Sequence, residues 1–274
     1  MLRLGALVAA VVLSLSASAL AADPVPASQP QPLLFELAGK PVGYALSVAS
    51  LDDAKVCGSK KVRIQVGTHM APALAAFLSA PSPQGAAQTG SVYLAGGSQR
   101  LAFSSAKVLR VEIPVQNAKS NARNFFVVDF ETQPTTCTTV SAKVAPSFAK
   151  QAATWASRTT TESGYRMDLA GKQTDAGVRG SIADLKWAGF IVEPGAPQGK
   201  AMMEWMRQAF AHRHESYDQY KTTIFDTTGP VAEILARILA PSANGQKLEL
   251  KADQVRICVF AEGQRICPVV APAQ

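Results

Sequence analysis

Two stretches, Phe35-Glu-Leu-Ala-Gly-Lys40 and Met167-Asp-Leu-Ala-Gly-Lys172, carry one pattern 132 positions apart. The spacing holds further along the chain. A short apolar helix is expected at 70–78, opened by Pro72, because proline is tolerated in a first helical turn. Its counterpart is expected at 202–210, within Lys200 to His212, where Met202, Trp205, Met206, Ala209 and Phe210 share one helical face. Near Pro114 the offset becomes 127: Val108-Leu-Arg-Val-Glu-Ile-Pro114 lies on Leu235-Ala-Arg-Ile-Leu-Ala-Pro241. Each proline ends a strand, and a polar turn (116–124 and 242–246) leads to a last apolar strand. The order strand, strand, helix, strand, strand–turn–strand is thus written twice, which reads as a tandem duplication with insertions in loops.

Period-two alternation and β-branched content make the repeated text mainly strand. In the first copy strands are expected at 33–37, 42–48, 62–66, 91–94, 101–103, 108–113 and 125–130. Within 108–113, Arg110 and Glu112 fall on one face while Leu109, Val111 and Ile113 fall on the other. In the second copy strands are expected at 165–169, 186–192, 217–225, 234–239 and 247–251, followed by a terminal hairpin. The resulting organisation is a first unit at 33–132, a Thr/Ser/Ala-rich linker at 133–163 and a second unit at 164–274. The middle of that linker, 147–156, is compatible with a short helix carrying Phe148 and Trp155.

The chain opens on MLRLGALVAAVVLSLSASALAA, in which Arg3 precedes a short apolar run and Ala19-Leu-Ala21 offers a small-x-small cleavage site. This reads as a signal peptide over 1–22, cleaved after Ala21 or Ala22, and not as a membrane span. A leader with four prolines, 23–32, follows. The expected address is the periplasm or the extracellular space, where four cysteines default to two disulfides. Three pairings are possible. Glu262-Gly263 suits a two-residue hairpin turn that sets Ala261 opposite Gln264 and hence Cys258 opposite Cys267. Cys57 and Cys137 pair by elimination, closing a long loop.

The 274 residues, 47% of them apolar, suffice for a packed core. Only 17% are charged and 7% aromatic, and the formal charge of +7 is scattered, with Lys60-Lys61 the sole basic pair. A nucleic-acid binder would carry a denser basic stripe, and no such partner is expected. No catalytic signature stands out. His212-Arg-His214-Glu215, even with Asp218, supplies no third metal ligand by motif and suits a cationic helix end. No Gly-x-Ser-x-Gly occurs, and a triad built on His69 would need Asp129 or another carboxylate to converge on it. Asp52-Asp53 reads as a solvated turn, and Gly96-Gly97 as a hairpin turn rather than a phosphate cradle. The expectation is a non-enzymatic chain without metal or cofactor.

One unit, from His69-Met-Ala-Pro-Ala-Leu-Ala-Ala-Phe-Leu78 through Phe125-Phe-Val-Val-Asp-Phe-Glu131, resembles the phage tail-tube and type VI secretion tube (haemolysin-coregulated-protein-like) family. Leu74 and Phe77 match its helix, residues 109–114 its strand ending in proline, and residues 117–120 its small polar turn. Met202 and Trp205 fit the helix pattern of the second copy. The resemblance implies two tandem antiparallel β-barrels, each with one short flanking helix, that associate sideways into rings. Two fused units imply a ring of three chains. It makes the chain a structural or assembly component that self-associates or docks on an envelope partner. The alternative is a monomeric binding module that recognises a protein or glycan through loops 80–90 and 193–199.

Overall fold

A computed structural model describes residues 31–52, 55–80, 85–94, 97–114, 121–161, 166–169, 172–174, 178–183, 187–192, 220–244 and 247–268. The first unit contains β1 (Leu33–Leu37), β2 (Lys40–Ser50), β3 (Lys61–Gly67), helix α1 (Pro72–Ser79), β4 (Gln88–Leu94), β5 (Gln99–Glu112) and β6 (Phe125–Glu131). These strands pair antiparallel in the order β4-β1-β2-β3-β6-β5, and β5 returns to β4. The result is a closed six-stranded barrel, which leaves no free edge among its own strands. Alternation fills it: Val62, Ile64 and Val66 of β3 and Phe126, Val128 and Phe130 of β6 are buried. Phe35, Phe103 and Phe130 meet at centroid distances of 5.9 and 5.0 Å, and Phe77 of α1 reaches Phe130 at 6.4 Å. On the outer face the directly opposed Arg63 and Asp129 form a bidentate pair, with Nε–Oδ1 2.7 Å and Nη2–Oδ2 2.8 Å.

Two glycines permit the packing around this barrel. An added Cβ at Gly43 would stand 2.8 Å from Cδ2 of Leu74, so α1 rests directly on the β2 backbone there. An added Cβ at Gly67 would fall 2.0 Å from the fully buried Tyr44 ring.

The strand text at 101–103 and 108–113 forms one strand, not two: β5 runs through a break at Ser105, whose φ is +55°. A second irregularity between Val108 and Arg110 shifts the alternation. Val108, Val111 and Ile113 are therefore buried while Leu109 is half-buried, unlike the simple period-two reading. Arg110 and Glu112 do share a face, joined by an ion pair of 2.7 Å.

Residues 133–161, expected as a linker, instead add β7 (Thr136–Thr139) and α2 (Ala145–Ala156) to the barrel. β7 pairs with β5. The small face of α2, Ala152 and Ala156, packs with Leu34, Tyr44, Leu46 and Tyr93, and Phe148 meets Tyr93 at 3.9 Å. Tyr44 closes the contact by donating its hydroxyl to Thr159 Oγ1 at 2.5 Å. The Cys57–Cys137 disulfide ties the loop after β2 to β7, with Cα atoms 5.6 Å apart. Asp52, in the same loop, accepts the backbone N–H groups of Lys60 and Lys61; it organises a turn.

The C-terminal strands are β8 (Arg166–Leu169), β9 (Lys172–Thr174), β10 (Val178–Ala183), β11 (Trp187–Val192), β12 (Tyr220–Asp226), β13 (Gly229–Asn244), β14 (Lys247–Ala261) and β15 (Gln264–Ile266). They follow the order β10-β11-β14-β13-β12-β8-β9, with β15 on β14. With β9 and β10 in the place of β2, this is the neighbour order of the barrel. Among the described strands it is an open sheet, however, and not the second closed barrel expected. Both described helices belong to 31–161; the helix expected at 200–212 lies outside the described residues, as do the signal peptide and most of the leader.

Register agrees between the halves at the repeated motif. Leu37 opposes Lys40 and Gly90; 132 positions later Leu169 opposes Lys172 and Thr222. The irregularity between Val108 and Arg110 recurs, at the offset of 127, between Leu235 and Arg237. The terminal hairpin turns at Glu262 and Gly263, φ +49° and +78°. It sets Ala261 opposite Gln264, and the Cys258–Cys267 disulfide forms as the arithmetic required.

Candidate functional site

The two halves meet along a seam. At one end β5 of the barrel pairs with β10, aligning Glu112, Val111 and Arg110 with Ser181, Ile182 and Ala183. At the other, α1 is shared: Leu74, Ala75 and Leu78 lie in one buried cluster with barrel residues and with Ile224, Val231, Ile257 and Val259. A hydrogen bond also crosses the seam. Nε2 of His69, between β3 and α1, lies 2.9 Å from Oδ2 of Asp226, at the end of β12.

Asp226 is positioned by its own turn. In Asp226-Thr-Thr-Gly229 the carboxylate folds back so that Oδ1 accepts the Thr228 N–H at 2.7 Å, the Thr228 hydroxyl at 2.6 Å and the Gly229 N–H at 3.2 Å. Burial pushes the carboxyl pKa up, but the hydrogen bonds from His69 and Thr228 outweigh it and hold the group below its ordinary value. An ionised carboxylate only accepts, so Nε2 of His69 carries the proton of this hydrogen bond.

Because the folded value lies below that of the unfolded chain, Asp226 contributes stability above about pH 4, and this is lost as pH falls through the folded value. Thermal unfolding measured from pH 7 to 2 is expected to show this loss in the native chain, and a smaller slope below pH 4 in Asp226→Asn. Equal slopes would remove the assignment.

A pocket of about 280 Å³ opens beside this pair. Its walls come from the 68–70 segment, the end of α2 (Trp155 and Arg158), the β12–β13 turn and the β14–β15 hairpin (Phe260, Glu262 and Gly263). Thr68 lines it too, and its buried hydroxyl has no hydrogen-bond partner.

His69 therefore does meet a carboxylate, but a different one: Asp129 is engaged by Arg63 on the barrel. Among the described residues no serine lines the pocket. His212, His214, Glu215, Asp218, Met202 and Trp205 lie outside the described residues, as do Asp53 and Gly96; Gly97 has φ +93°. Among the described residues no three His, Cys, Asp or Glu side chains gather as metal ligands, and no helix is long and apolar enough to cross a membrane. The two disulfides are compatible with a periplasmic or extracellular protein. Sequence reasoning missed Asp226, although aspartate two residues before Thr-Gly is a turn signature that could have located it. The sequence marks Trp155 for a helix and Glu262 for a turn, but nothing local brings them or Arg158 to a pocket, where they converge only through tertiary packing.

No protein-family model and no curated protein matches the chain.

Proposed function

We propose that this chain is an exported, non-enzymatic assembly component made of two tail-tube-like β-barrels in tandem. Its units associate sideways by strand addition. The observation that carries this reading is the β5–β10 pairing: the barrel meets its neighbour by continuing a sheet, not by stacking faces. The matched registers at Leu37 and Leu169 support the duplication, and the reading requires β9 and β10 to be one strand that closes the second barrel. Strand addition between like units is heterologous, and a heterologous contact repeated from chain to chain closes into a ring when its rotation allows.

Light scattering on the purified mature chain tests it. The expected particle has about three chain masses at micromolar concentration. A monodisperse single-chain particle that persists as concentration rises would contradict self-association and favour the second reading, a monomeric binding module. The seam pocket is the observation that favours that alternative.

A further inference from the structure

We propose that the seam pocket binds a small organic carboxylate with a single-ring aromatic body. At about 280 Å³ the cavity lies just below the usual range for small-molecule sites, with room for one ring and a short polar arm. Trp155, Phe260, Met70 and Val231 supply apolar and aromatic wall, the usual surround for such a body.

The polar groups favour an anion. Arg158 lines the pocket and is exposed, and a guanidinium suits a bidentate carboxylate contact. The Asp226 charge is already spread over hydrogen bonds from His69, Thr228 and Gly229, so it does not oppose a second anion as a bare carboxylate would. Asp226 stands behind His69 and outside the lining; among the described residues Glu262, on the hairpin tip, is the acid that lines the pocket. The site draws on both halves of the chain, so a ligand there would bind the joined form and stabilise the seam.

Phenylacetate, its neutral isostere phenylacetamide and the cation phenethylammonium, titrated into the full mature chain with tryptophan fluorescence as readout, separate the outcomes. Phenylacetate is expected to give a saturable change in the roughly millimolar range typical of so small a ligand. The amide and the cation should bind at least tenfold more weakly. Arg158→Gln should weaken phenylacetate binding about tenfold or more with an unchanged circular dichroism spectrum. Trp155→Phe should remove most of the optical response while calorimetry still detects binding. The proposal is overturned by no saturable response to phenylacetate up to about 20 mM, by equal binding of the amide or the cation, or by an Arg158→Gln titration that matches the parent. None of these results depends on oligomer mass, so the assembly reading stands or falls separately.

Discussion

Replacing Cys57 and Cys137 by serine is expected to lower the stability of the barrel by about 4–5 kcal/mol, the chain-entropy value for a loop of this length. The bridge spans 80 positions, enclosing β3, α1, β4, β5 and β6, so its loss restores a large conformational freedom to the unfolded chain. Other ties of the loop it anchors are Gly58 N–H to Thr135, Thr135 N–H to Ser59 O, the Thr135 hydroxyl to Val56 O, the Ser50–Ser59 hydroxyl pair and the Asp52 turn. For a unit of this size, the midpoint of thermal unfolding should fall by about 10–20 °C. The Cys258–Cys267 bridge closes only nine positions, on a hairpin already set by its turn, and its removal should cost about 2–3 kcal/mol. Calorimetry of the two double-serine variants tests the ranking. An equal or reversed order would mean that the long loop is held by something other than its disulfide.

Leu74→Ala is expected to cost about 3–5 kcal/mol, at the upper end for a buried leucine. The side chain is fully buried and stands over Gly43, where no Cβ exists to move into the space it would vacate. The location of the damage is the more telling part. Leu74 belongs to the cluster that also contains Ile224, Val231, Ile257 and Val259, so the truncation should loosen both sides of the seam. Amide hydrogen exchange should therefore quicken at Ile257 and Val259 as well as at Ile64 and Val128. Faster exchange confined to the barrel would show that the halves do not share a core.

Much of the first barrel was legible in the sequence from its apolar, β-branched runs, with burial alternating along most of β3 and β6. Leu33–Leu37 was read with its observed bounds, and the segments read at 62–66 and 125–130 lie within β3 and β6, one residue short of each at the ends that were missed. The failures fall where the backbone departs from that period. Ser105 and the irregularity near Leu109 break the rhythm of β5, so one long strand was read as two short ones. The 133–163 text looked like a linker because α2 buries alanines, not a broad apolar stripe; Ala152 and Ala156 are enough to seat it against Tyr44 and Tyr93. The hairpin bridge could be counted out in advance because a two-residue turn fixes register. The seam could not, because His69 and Asp226 are 157 positions apart and only the fold brings them together.

An experimental determination of the full chain, read at residues 172–183, tests the central claim most directly. If one unit was duplicated, β9 and β10 form a single strand that pairs with β8 on one side and β11 on the other, closing a second ring of six strands. A break between β9 and β10 across residues 175–177, which lie outside the described residues, would leave the second sheet open and contradict it.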